Sequence, residues 1–99
     1  FLNYDPATLG PWDGLLFENS IMGLAGRVPV YVAQGAADDI VLPSVTSQFV
    51  RATCRNGAPV QFVSLAGTGH GNSVKAASRS AVNWLAARLR GDRAPSNCR

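Results

Sequence analysis

The stretch Val28-Pro29-Val30-Tyr31-Val32-Ala33-Gln34-Gly35-Ala36-Ala37-Asp38-Asp39-Ile40-Val41-Leu42-Pro43 decides the fold, together with its counterpart Val60-Gln61-Phe62-Val63-Ser64-Leu65-Ala66-Gly67-Thr68-Gly69-His70-Gly71. Each is an apolar run that ends in a loop carrying an ionisable side chain. Val28 to Gln34 is apolar without alternation, the pattern of a strand covered on both faces by helices. Pro29 is compatible with a strand only among its first residues. Pro59 to Leu65 reads as a second strand. Between them lie a loop, Gly35 to Pro43, and a helix over 44–55 with Ser44 as its N-cap. The apolar face of that helix is Val45, Phe49, Val50 and Ala52. Asn56-Gly57 ends it, Gly57 taking the left-handed conformation that follows many helices.

Ala66 to Asn72 is a glycine-rich loop. Ser73 caps a long helix over 73–90, in which Val74, Ala77, Ala81, Val82, Trp84, Leu85 and Leu89 recur at helical spacing. The order β–α–β–α predicts a parallel pair joined by a right-handed crossover, an α/β arrangement within one unit spanning residues 1–99. Before the first strand the pattern is weaker. Asp5-Pro6 and Gly10-Pro11 are turn signals. Trp12, Leu15, Leu16 and Phe17 suggest a short helical turn, and Met22-Gly23-Leu24-Ala25-Gly26 leads into the strand.

Composition narrows the class. Hydrophobic residues make up 46% and charged residues 15%, which favours a packed chain over a disordered one. Ninety-nine residues bury a modest share of their surface and are marginal alone. The net charge of +3 comes from scattered arginines and one lysine. The late group Arg88, Arg90, Arg93 and Arg99 complements a helix C-terminus, and no aromatic residues alternate with it as a nucleic-acid stacking platform needs. No run of apolar residues is long enough to span a membrane.

The two cysteines are Cys54 and Cys98. Cys98 sits in the tail Ala94-Pro95-Ser96-Asn97-Cys98-Arg99, with no core of its own to join. A disulfide to Cys54 would tie the tail down. It would contribute roughly 4 kcal/mol through unfolded-chain entropy and imply an oxidising compartment. The alternative is a pair of free thiols in a cytosolic protein. Two cysteines and one histidine do not make a zinc site.

In an open parallel sheet, ligands bind beyond the carboxyl ends of the strands. Both polar loops leave from such ends, and neighbouring strands are about 4.8 Å apart. A carboxylate from the first loop can therefore reach an imidazole from the second. Asp38 is the favoured carboxylate and Asp39 reads as a loop-surface or capping residue. His70 is the only histidine, and its neighbours Gly69 and Gly71 would let the loop approach another backbone closely. An acid followed by a histidine is the later part of a Ser–Asp–His triad in its Ser, Asp, His chain order. None of Ser20, Ser44, Ser47, Ser64, Ser73, Ser78, Ser80 or Ser96 has glycine two residues away on both sides, so the nucleophile elbow G-x-S-x-G is absent. The expectation is that the nucleophile lies upstream of Phe1 and that these residues alone have no triad-type esterase activity.

With those residues in view, the chain resembles the C-terminal end of the α/β-hydrolases. More narrowly, it is similar to the secretory lipase family of actinobacteria and fungi, of the Candida antarctica lipase A type. The similarity runs through Leu15-Leu16-Phe17-Glu18-Asn19-Ser20, Pro29 to Gly35, Asp38, Pro43, Gly69-His70, Trp84-Leu85 and Ala94-Pro95-Ser96-Asn97-Cys98. The resemblance implies a C-terminal β–α–β–α portion of an α/β-hydrolase fold, with Asp38 and His70 in the acid and base positions. It further implies a secreted enzyme that hydrolyses carboxylic esters, triacylglycerols included, without metal or cofactor. Its partners would be an ester or lipid substrate and the N-terminal part of the same hydrolase. Two other readings compete. Prolyl-oligopeptidase-like peptidases also carry an Asp loop ending in Val-x-Pro and a Gly-His-Gly loop, although the cysteine-bearing tail argues against a cytosolic peptidase. A non-catalytic module binding through an open sheet edge is the third reading.

Overall fold

A computed structural model describes residues 3–20 and 26–99. Strand β1 (Val30–Gly35) lies parallel to β2 (Val60–Leu65), in register from Val30 opposite Val60 to Gly35 opposite Leu65. Helix α2 (Pro43–Arg55) connects them and α3 (Ser73–Leu89) follows. The fold is a β–α–β–α part of an α/β architecture. Ahead of it, α1 (Trp12–Glu18) packs on a 3₁₀ turn, Pro6–Thr8, that Asp5 caps through the N–H of Ala7. The expected lead-in over Met22 to Ala25 lies outside the described residues.

Two prolines mark where the strands begin. Pro29 and Pro59 have no N–H to give to a ladder, so β1 starts at Val30 rather than Val28, and β2 at Val60 rather than Pro59. The Pro59 carbonyl still serves, accepting the Val30 N–H at 3.0 Å. Proline also moves the start of α2. Leu42, extended, is the N-cap, and Pro43 is the first helical residue, where its fixed φ suits the helix. Ser44 therefore lies inside the helix and does not cap it. Ser73 likewise is the first residue of α3 rather than its cap. A 3₁₀ turn over His70–Asn72 runs straight into that helix, and the Ser73 hydroxyl donates back to the Gly69 carbonyl. α3 stops at Leu89, one residue short of the expected end, with Arg90 as C-cap.

Alternation along the strands assigns the two faces. Phe62 shares a groove with Ser47, Val50 and Cys54 of α2, and Gln34 bonds Thr46 of that helix. Tyr31 and Ala33 face α3, lining a groove with Ala77 and Ala81. Tyr31 also packs against Trp84 in a tilted ring contact (centroids 5.8 Å apart, planes at 49°), and its hydroxyl meets that of Ser80. The apolar stripe expected of α3 is only partly used. Ala77 is buried, but Val74, Val82, Leu85 and Leu89 are between 54% and 82% exposed. Val45 of α2 is exposed as well. The reason is width. A helix of 17 residues is about 25 Å long and 10 Å across. Two strands about 4.8 Å apart are too narrow a floor for its whole face. Among the described residues no helix is long and apolar enough to cross a membrane.

The outer edge of β2 is covered by the tail. Asn97 donates its backbone N–H to the Val60 carbonyl at 2.9 Å. Its side-chain amide accepts the Phe62 N–H and donates to the Phe62 carbonyl, at 2.9 and 2.7 Å. One residue thus does for Val60 and Phe62 what a neighbouring strand would do. The Cys54–Cys98 disulfide, with Cα atoms 5.7 Å apart, anchors this clamp to the end of α2. The expected outcome of replacing both cysteines by Ala is a loss of up to about 4 kcal/mol. Asn97→Ala, which removes two hydrogen bonds at an exposed edge, should cost about 1–2 kcal/mol. Urea unfolding midpoints at unchanged slope read both; a midpoint unmoved by loss of the disulfide would contradict the clamp.

Candidate active site

Both loops that leave the strands' carboxyl ends are tied to each other before any side chain is considered. The Ala36 N–H donates to the Leu65 carbonyl at 2.9 Å, continuing the ladder one step past the strands. The Ala37 N–H then donates to the Thr68 carbonyl at 3.0 Å. This second bond requires Gly35. A Cβ there would stand 2.3 Å from the Thr68 oxygen and 3.0 Å from the Ser73 hydroxyl. Gly69 and Gly71 are not needed for the approach: a Cβ at Gly71 meets nothing within 4 Å, and one at Gly69 makes only an ordinary contact at 4.0 Å. The glycine that lets the histidine loop dock is on the opposite loop.

Docking brings Asp38 to His70. Nδ1 of His70 lies 2.9 Å from Oδ2 of Asp38. The other carboxylate oxygen, Oδ1, accepts the N–H groups of Ile40 and Val41, each at 2.9 Å. The Asp38 side chain is 4% exposed and that of His70 is 49% exposed. Burial pushes the Asp38 carboxyl up. The hydrogen bond with His70, the Val41 and Ile40 N–H groups and the imidazole's charge together outweigh it and hold the pKa below the ordinary 3.8. An ionised carboxylate can only accept, so the proton of a neutral imidazole sits on Nδ1. The Nε2 lone pair is then directed away from Asp38, and no described residue hydrogen-bonds it. Asp39 is exposed and makes no side-chain hydrogen bond.

Such an arrangement can take a proton at Nε2 and stabilise the resulting imidazolium. Among the described residues no hydroxyl is hydrogen-bonded to His70, and no group of His, Cys, Asp and Glu is clustered to hold a metal ion. Two grooves lie elsewhere, one along α2 and the tail and one between β1 and α3. They belong to the packing described above, and neither is lined by Asp38 or His70.

Residues 13–97 match the secretory lipase family. The chain belongs to that family. No curated protein and no solved structure matches it. Secretory lipases are lipase-like ester hydrolases, and the dyad lies within the matched span of this one. In this secretory lipase chain the sequence pattern marks Gly35, Asp38 and His70 but not Gln34 or Thr68, whose side chain and backbone help hold the loops together. The one available signal was Gln34 itself, an amide at the end of a strand otherwise made of apolar residues.

Two outcomes are expected here. Gly35→Ala should displace the Thr68 carbonyl and destabilise by about 1–3 kcal/mol, the usual cost of overpacking. Unfolding curves and loss of the Asp38–His70 contact in a crystal structure would read it. The second concerns pH. Because the folded carboxyl of Asp38 titrates below its unfolded value, its contribution is complete above about pH 4. That contribution is lost as pH falls through the folded pKa. Stability measured against pH should therefore separate the protein from Asp38→Asn above about pH 4, and the two curves should converge below it.

Proposed function

We propose that this chain supplies the acid and the base of a Ser–Asp–His triad in a secreted carboxylic-ester hydrolase acting on lipids. Asp38 is the acid and His70 the base. The nucleophilic serine and the oxyanion donors come from a segment outside these 99 residues. The observation that carries the reading is the 2.9 Å contact between Nδ1 and a buried carboxylate, with Nε2 left open at the carboxyl ends of two parallel strands. Family membership supports an ester or lipid substrate, and it accords with an extracellular site, as does the disulfide.

In this reading Nε2 of His70 removes the serine proton as the hydroxyl attacks the ester carbonyl. It then delivers that proton to the departing alcohol. Water repeats the two steps on the acyl-enzyme. Asp38 keeps its charge throughout, holding the imidazole's tautomer and stabilising the imidazolium. The exposed apolar side chains of α3 and the outer edge of β1 support completion of the sheet by the same missing segment. An isolated two-stranded sheet leaves edges that other chains can pair with.

The test uses a fluorophosphonate, which labels activated serines. The 99-residue chain alone should neither be labelled nor hydrolyse a p-nitrophenyl ester. The enzyme carrying an upstream G-x-S-x-G segment should do both. In that enzyme His70→Ala and Asp38→Asn should each lower kcat by about 10⁴-fold. Labelling of a serine within the 99 residues would overturn the assignment. A strong preference for peptide over ester substrates would favour a peptidase.

A further inference from the structure

We propose that Gln34 is a positioning residue for the acid of the dyad, acting through the backbone of the loop that carries Asp38; this rests on the triad reading above. Gln34 is the penultimate residue of β1 and is 5% exposed. A buried amide is costly unless its donors and acceptor are satisfied. Here Nε2 donates to the Gly35 carbonyl at 3.0 Å and to the Val41 carbonyl at 2.9 Å. Oε1 accepts the hydroxyl of Thr46 in the first turns of α2. With carbonyls on one side of the amide and a hydroxyl on the other, one orientation alone satisfies the set.

The two carbonyls stand at opposite ends of the acid loop. The Gly35 carbonyl, at its start, also accepts the Asp38 N–H at 3.2 Å. Val41, near its end, gives its N–H to Asp38 Oδ1. A continuous path of hydrogen bonds and one residue's backbone therefore runs from Thr46 to Gln34, from Gln34 to Val41, from Val41 to Asp38, and from Asp38 to His70. Gln34 spans the loop from inside and fixes the residue whose N–H holds the carboxylate. Without this brace the middle of the loop is tied by Asp38's own bonds and by the Ala36 and Ala37 N–H groups, which donate to the Leu65 and Thr68 carbonyls opposite. The Val41 peptide would then be free to turn, and Oδ2 would no longer be held at hydrogen-bond distance from Nδ1.

A bulk packing role predicts that any residue of similar volume serves. A positioning role predicts that the amide's donors are needed. Gln34→Leu keeps the volume and removes both donors and the acceptor. Gln34→Glu keeps an acceptor for Thr46 but offers no donor to the two carbonyls. Thr46→Ser keeps the hydroxyl, and Thr46→Val removes it.

The first readout is the downfield proton resonance of the imidazole Nδ1–H, which reports the Asp38–His70 hydrogen bond whether or not the site is catalytic. It is recorded on the nucleophile-containing enzyme. Gln34→Leu and Gln34→Glu should abolish or broaden it, Thr46→Val should weaken it, and Thr46→Ser and the exposed Asp39→Asn should leave it in place. The second readout is ester hydrolysis by the same proteins. Gln34→Leu should lower kcat by about 10–100-fold, the scale of a misplacement near 1 Å, with KM unchanged. Thr46→Ser should retain the activity. An unaltered resonance in Gln34→Leu overturns the proposal. If that variant does not fold, an unaltered resonance in Thr46→Val overturns it equally. A lost resonance with full activity leaves Gln34 as the brace of Asp38 and overturns the triad reading instead.

Discussion

The last paired position of β1 is a glycine, and the Thr68 carbonyl occupies the space where its side chain would be. That close approach is the constraint on which the site depends. It lets the Ala37 N–H reach across to the histidine loop, so that the two loops become one rigid rim above the strand ends. The parallel register sets the heights of the loops, Gly35 level with Leu65, and the glycine sets their separation. Asp38 and His70, 32 residues apart in sequence, meet as a consequence. The environments of the pair follow from the same geometry: Asp38 is buried and held by backbone N–H groups, whereas His70 is half exposed.

Polar and covalent ties carry an unusual share of the organisation because the apolar core is small. Among the described residues Ala58, Val60 and Ala77 are its buried apolar members. Three restraints surround this core. Gln34 spans the acid loop from inside, the Ala37–Thr68 bond joins the two loops, and Asn97 with the Cys54–Cys98 disulfide closes the outer edge of β2. They act at opposite ends of the same pair of strands. The tail clamp secures the amino end of β2, and the loop contacts secure the carboxyl ends where Asp38 meets His70. The outer edge of β1 and the apolar side chains of α3 have no such cover among the described residues.

The order of elements, the parallel pairing, the two loops and the pairing of cysteines were all legible in the chain. Prolines precede the apolar runs of Val30–Ala33 and Val60–Leu65, and glycines follow them. Helix starts were less legible. Ser44 and Ser73 look like caps, but α2 already begins at Pro43, and α3 begins at Ser73 itself, with the turn over His70–Asn72 running into it. The apolar spacing of α3 marked a helix correctly yet overstated its burial, since periodicity reports which face is apolar and not whether anything covers it.

The sequence by itself singled out Asp38 and His70 as candidates, because they stand in loops directly after the two apolar runs, and local patterning places such loops at strand ends. It also determined the family, through residues spread from 13 to 97. Only the tertiary structure decided which glycine matters, that Gln34 faces inward to brace the acid loop, and that Asn97 completes the edge of β2. Each of those is a contact between residues whose separation in sequence carries no period, such as Gly35 with Thr68 or Phe62 with Asn97. The distances arise only when strand register, crossover and disulfide act together.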